Sequence, residues 1–164
     1  MPSEVRLQYS SGATTVVATC SGLANDGLRE STVVLNSVNR YDDVFIQATA
    51  IVNSAAVLTA VNAPVNIWAY AGVISTMYSG GATGADASFN TTVQNPDNLK
   101  LIGTLPCITM GAAAVTVYYS DLFSVAAGFG GAVPINWGLV VDNQTGQTVV
   151  SVALQYQGLY WTIS

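Results

Sequence analysis

The pair best placed for acid–base chemistry is Asp42-Asp43, the only adjacent carboxylates in the chain. A glycosidase holds two carboxylates about 5 to 9.5 Å apart across one sugar, whereas neighbours on a strand point to opposite faces. The pair therefore reads as the solvated start of a strand. A calcium site built from one of these carboxylates and loop carbonyls is the other chemistry open to it, although no EF-hand spacing accompanies it. The chain has no histidine, so it cannot supply a Ser-His-Asp or Cys-His pair, a histidine metal ligand or an imidazole proton shuttle. Gly128-Phe129-Gly130-Gly131 is followed by no lysine and opens no helix, so it cradles no phosphate. Asn90-Thr91-Thr92 and Asn143-Gln144-Thr145 fit the glycosylation sequon, and without a secretory route they are polar turns. Cys20 and Cys107 lie in no metal-binding spacing. They read as buried reduced thiols acting as small hydrophobes, with a disulfide between them as the alternative. The expectation is a non-enzyme with no catalytic, cofactor-binding or metal-ligating residues.

Charge narrows the partners. Lysine and arginine number 4 and aspartate and glutamate 9, and the isoelectric point is near 4.1. Arg6, Arg29, Arg40 and Lys100 can neutralise few phosphates, and counterion release drives nucleic-acid binding, so no nucleic acid is expected. Only 8% of residues are charged, 51% are hydrophobic and the mean hydropathy is +0.44, against about 25% charged in an ordinary domain. Such a chain sits in a membrane, hides surface in an assembly, or covers itself with Ser, Thr, Asn and Gln. The one uncharged stretch long enough for a bilayer runs from Leu122 to Val141, but its glycines, Pro134 and Asn136 mark a loop between strands. No membrane partner is expected. Met1-Pro2-Ser3-Glu4 lacks a basic and then apolar opening, so no secretory signal is expected and synthesis in a host cytoplasm is.

The aromatic residues Tyr118, Tyr119, Trp137, Tyr156, Tyr160 and Trp161 gather in the last third of the chain. Three roles are open to them: core packing, interface anchoring through a large apolar area with a polar tip, and stacking on sugar rings.

What would position these groups is a set of strands. Val5, Leu7 and Tyr9 alternate with polar residues and make a strand with one dry face, ended by Ser10-Ser11-Gly12. Further strands are expected over Thr15–Cys20, Thr32–Val38, Asp43–Val52, Val65–Val73, Leu99–Leu105, Val115–Tyr119, Trp137–Asp142 and Thr148–Ile163. In the last, Val150, Val152, Leu154, Tyr156 and Tyr160 are expected on one face. Ala55 to Val61 fits both strand and helix. Asn25-Asp26-Gly27 and Asp142–Gly146 supply turn residues, and Ser79 to Asn98 forms a long polar insertion. The fold expected is all-β: one antiparallel β-sandwich over 13–164, jelly-roll-like, with a long central loop and an N-terminal strand or arm over 1–12. Cys20, Trp68 and Cys107 formally match the immunoglobulin arrangement, but the long insertion fits a jelly roll better.

The low charge, the Ala/Val/Thr/Gly-rich strands, the N-terminal arm and the closing text from Pro134-Ile135-Asn136-Trp137-Gly138 through Asp142-Asn143-Gln144-Thr145-Gly146 together resemble small structural proteins of tailed bacteriophages. The type they are most similar to is the jelly-roll capsid decoration, or cement, protein. That resemblance implies a virion protein on the capsid surface that binds the major capsid protein from outside, stabilises the head and forms a homo-oligomer, often a trimer. The interface residues expected are Val5, Leu7, Tyr9, Trp137, Tyr156, Tyr160 and Trp161. The alternatives are a carbohydrate-binding fibre or lectin-like β-sandwich using the late aromatics, or another phage tail structural protein.

Overall fold

The computed structural model describes residues 4–53, 64–91, 94–106 and 115–163. Their strands, in chain order, begin with β1 (Val5–Tyr9), β2 (Thr14–Val16), β3 (Gly27–Glu30), β4 (Val34–Leu35), β5 (Asp43–Asn53) and β6 (Val65–Gly72). They continue with β7 (Ala87–Ser88), β8 (Lys100–Leu105), β9 (Val115–Tyr119), β10 (Phe123–Ser124), β11 (Asn136–Asn143) and β12 (Val149–Ile163). Two helical turns, α1 (Asn36–Asn39) and α2 (Val125–Gly128), interrupt them. Among the described residues no helix is long and apolar enough to cross a membrane.

All pairings are antiparallel, in two sheets. The first has β12 and β5 at its centre, with β1 and β2 both along the free side of β12 and β9 and β10 both along the free side of β5. The second runs β7-β3-β11-β6-β8, with β4 also on β11. Counting each broken strand once, and leaving aside the two-residue β7 that flanks β3, gives eight segments. The first (β1/β2) pairs with the eighth (β12), the second (β3/β4) with the seventh (β11), the third (β5) with the sixth (β9/β10) and the fourth (β6) with the fifth (β8). This is one long hairpin rolled into two sheets, which is jelly-roll topology.

Period two explains the sandwich core. On β5 the residues Val44, Ile46, Ala48, Ala50 and Val52 are buried, and Val65, Ile67 and Ala69 of β6 meet them from the other sheet. Leu139, Val141, Leu154 and Leu105 fill the space between, each buried side chain contributing roughly 1.5–3 kcal/mol.

The long central insertion folds back over the outer face of the second sheet. Ala82 and Phe89 from the insertion, with Leu99 directly after it, bury Tyr70 and Val140, with Leu28, Trp68 and Tyr78 packed around them. As a result all eight residues of β11 are buried. Two carboxylates fasten this cover. Glu30 is fully buried and accepts from Thr83 N at 2.7 Å and Thr83 Oγ1 at 2.8 Å. Asp86 accepts from Thr19 N at 2.9 Å, from the Thr19 hydroxyl and from Arg29 Nε at 2.7 Å.

Several sequence expectations change in detail. The Thr15–Cys20 strand stops at Val16, and in Thr32–Val38 only Val34–Leu35 is strand before the chain turns into α1. That turn ends at Arg40 with φ 51, in the left-handed region. A bulge between Val149 and Ser151 shifts the start of β12, so Val149 enters the core and Val150 is exposed, not on the buried face. The stretch Leu122–Val141 is only partly loop, because it holds β10, α2 and most of β11. Ala55–Val61 and Cys107 lie outside the described residues.

Candidate functional site

The second sheet is covered on its outer side by the insertion, whereas among the described residues no segment covers the outer side of the first, and pairing fixes what that side shows. Inward residues Leu154, Tyr156 and Gly158 of β12 oppose Ala48, Ile46 and Val44 of β5. The intervening residues therefore face out: Ala153, Gln155, Gln157 and Leu159 on β12, beside Thr49, Gln47, Phe45 and Asp43 on β5. On the far side Tyr119 and Val117 of β9 oppose Thr49 and Ile51 and share this face. Tyr119 is 72% exposed and Val117 41%.

Beyond Leu159, β12 pairs only with β1, so Tyr160 to Ile163 and β1 form a two-stranded ribbon past the end of β5. Val5 opposes Ile163, Leu7 opposes Trp161 and Tyr9 opposes Leu159, which puts these six residues on the ribbon's outer side. Tyr9 and Phe45 confirm the shared face, with ring centroids 6.4 Å apart. Val5, Leu7, Tyr9, Trp161 and Ile163 are all exposed.

Among the described strand residues facing outward from this sheet, Asp43 is the only charged one. Its carboxylate is engaged by Val44 N at 2.7 Å, Ser124 Oγ at 2.7 Å and Ala126 N at 3.0 Å, and so caps α2. The result is a broad face of apolar, amide and hydroxyl groups, against which a partner can pack without removing a charge from water.

Several acidic residues are bound into the fold. Asp42 Oδ2 accepts from Trp161 N at 3.2 Å. Asp142 accepts from Asn66 Nδ2 at 3.2 Å, Trp68 Nε1 at 3.3 Å and Gln144 Nε2 at 2.7 Å. At Asp86 partial desolvation works to raise the pKa, but the bonds from Arg29 and Thr19 outweigh it and hold the carboxyl down at about 2. Burial pushes the Cys20 thiol up to about 12, with Arg29 opposing. Among the described residues no three potential metal ligands come together.

Of the expected interface residues, Val5, Leu7, Tyr9 and Trp161 lie together on the bare face. Tyr160 points to the opposite side of the ribbon, half-buried against Tyr41 with centroids 6.2 Å apart. Trp137 and Tyr156 are corrected: both are core residues, packed edge to face with centroids 5.5 Å apart, and offer a partner no surface. Their strands place them there, since β11 is covered on both sides and Tyr156 has the parity of Leu154. The residues that sequence reasoning missed are Ile163, Phe45 and Val117, while Tyr119 stood among the late aromatics but outside the expected interface set. Ile163 carried a signal, the same parity as Trp161.

A separate polar concavity of about 410 Å³ lies where Thr19, Ser21, Asp26 and Arg29 face Ser88 and Asn90. No family model matches the chain, and no curated protein matches it.

Proposed function

We propose that this chain is a structural protein of a tailed-bacteriophage virion, a decoration protein that binds the outside of the preformed head as a homo-oligomer and catalyses nothing. The observation that carries the proposal is the bare outer face of the first sheet. A sandwich that covers one sheet with its own insertion and leaves the other with Asp43 as the only charge among its described outward strand residues has one side suited to contact with protein. Strands carrying Gln47, Thr49, Gln155 and Tyr119 suit a lattice of folded subunits, where packing and neutral hydrogen bonds supply the affinity. Such binding survives high salt, since charge screening has little to act on. The phage assignment itself rests on the sequence resemblance.

Cryo-electron microscopy of virions is the direct test. Density for this fold on the outer head surface, sheet face inward, supports the proposal. Density in the tail, inside the shell or nowhere on the particle overturns it. Two like charges placed in mid-face, Thr49→Lys with Gln155→Lys, give the biochemical counterpart: shells no longer bind the variant, while it melts within a few degrees of the parent.

The glycan-binding alternative draws on the polar concavity lined by Thr19, Ser21, Ser88 and Asn90, residue types of the kind that line sugar sites. A glycan array separates the two readings.

A further inference from the structure

Glu30 of β3 is more than an anchor for the insertion requires. It is fully buried, and neither ion pair among the described residues includes it. A carboxylate taken out of water without a cation is costly, and a glutamine in its place could accept from the Thr83 N–H at lower cost.

What touches Glu30 is a reactive set. Thr83 Oγ1 donates to Glu30 Oε1 at 2.8 Å and is itself held by the Ala85 N–H at 3.2 Å. Gln94, 7% exposed, brings its carboxamide to the same carboxylate oxygen: Nε2 stands 3.5 Å from Glu30 Oε1 and donates to Gly81 O at 3.0 Å. The other end of that carboxamide, Oε1, accepts from the Asn90 N–H. These partners fix which end of the amide is which. Together they are the parts of an acyl transfer. Thr83 supplies a hydroxyl with a base in hydrogen-bond reach, Gln94 a carbonyl whose oxygen already faces a backbone donor, and the nitrogen that must leave lies beside the same base.

We propose that Thr83 and Gln94 become joined by an ester, which the chain forms on itself with Glu30 as the proton carrier. Thr83 Oγ1 bonds to Gln94 Cδ while its proton passes to Glu30 Oε1, and the negative charge collects on Gln94 Oε1, against the Asn90 N–H. The Cδ–Nε2 bond then breaks as the carbonyl re-forms, Nε2 takes the proton from Glu30, and ammonia leaves past Thr83, which lies at the surface. Glu30 ends as it began and nothing is oxidised or reduced. The reaction occurs once per chain, turns over no outside substrate, and stands whether or not the chain belongs to a virion. Its product closes residues 83–94 into a covalent ring that contains Asp86 and Phe89, the clasp and the apolar plug of the cover. Such a ring restricts the unfolded chain as a disulfide does, and it needs no oxidising compartment.

Intact-mass spectrometry of the full chain, folded and incubated at neutral pH, is the test. The parent is expected about 17 Da lighter than its sequence requires, the mass of one ammonia, and hydroxylamine, which opens esters, adds about 33 Da back. Fragmentation places the loss between residues 83 and 94. Thr83→Val keeps the shape without the hydroxyl and should show the full mass, whereas Thr83→Ser restores a hydroxyl and with it the loss. Both changes are at an exposed position, so both variants fold. Glu30→Gln should slow the loss by about 100-fold or more; if that variant does not fold, the parent and the Thr83 pair still decide. A parent that stays at full mass overturns the proposal. So does a loss that persists in Thr83→Val or maps to an asparagine, and so does a gain of about 1 Da at Gln94, which is attack by water in place of Thr83.

Discussion

Substituting Gly138 with alanine should destabilise the fold by about 2–4 kcal/mol, although the same change at an ordinary strand glycine stabilises by roughly 0.5–1 kcal/mol. Gly138 sits in β11 directly opposite Tyr70 of β6, and the Tyr70 ring lies across it. A Cβ at this position would stand 2.6 Å from Tyr70 Cε1 and closer still to Cζ and Oη. The ring is not free to yield. It is fully buried, its hydroxyl donates to Ser31 O at 2.7 Å, and Tyr78 packs edge-on with centroids 5.4 Å away. Overpacking of this kind costs about 1–3 kcal/mol, and a displaced hydroxyl adds about 1 kcal/mol or more for the lost buried bond. For a chain of this size that is roughly 4–16 °C in melting temperature. Urea unfolding of Gly138→Ala, Tyr70→Ala and the double variant gives the coupling directly. The double variant should be more stable than the two single losses combined, by more than about 1 kcal/mol. A Gly138→Ala protein as stable as the parent, or an additive cycle, would show that the ring does not press on this glycine.

Asp86→Asn should cost about 1–2 kcal/mol at neutral pH, a range that allows for solvent screening of a carboxylate still 19% exposed. Because folding lowers this pKa to about 2, the parent's advantage is full above pH 4 and is lost as pH falls through about 2; a constant difference between the two proteins across an acid titration would contradict the clasp. Cys20, with its thiol pushed up to about 12, should resist iodoacetamide in the native protein at pH 8, where its thiolate is on the order of one part in ten thousand; rapid native labelling at Cys20, located by peptide mapping, would refute its burial. Melting temperature should be indifferent to EDTA and dithiothreitol, and a fall of about 8 °C or more with reductant would establish a structural disulfide. Removing residues 1–10 should leave the sandwich folded by circular dichroism but weaken shell attachment in a pelleting assay, and undiminished pelleting would exclude β1 from the contact.

Alternation made the central strands legible. In β5 and β6 one face is apolar throughout, and the eight-segment roll follows once such strands are placed in order. The bulge after Val149 was not legible, because Val149 and Val150 are chemically equivalent and only pairing with Val52 decides which turns inward. Trp137 was misassigned for a related reason: β11 is buried on both sides, so parity carries no information there, and only the cover from the insertion explains it. That cover itself reads as polar loop, since its anchors Ala82, Phe89 and Leu99 follow no period. The strand β3 was overlooked because Arg29 and Glu30 look like surface, whereas the Glu30 carboxylate is buried under Thr83. Half of the candidate surface was visible as the dry stripe of Val5, Leu7 and Tyr9. The rest, from Phe45 to Tyr119, is ordinary strand text until the sheet order sets β9, β5, β12 and β1 side by side.

The pairing of the first segment with the last also sets a clock. Val5 meets Ile163, so β1 waits until every strand between the two has been synthesised before its partner exists. At roughly 5–20 residues per second that interval is about 8–30 s, during which Val5, Leu7 and Tyr9 have no sheet to join. Closing so large a loop comes at a high entropy cost and belongs to the slow, non-local class of folding events. Glu4 and Arg6, paired at 2.6 Å beside the stripe, keep charge next to it throughout, which guards an unpaired strand against joining the wrong one. Among the described strands the ribbon is thus completed last, so its projecting edge forms only after the rest of the roll is in place.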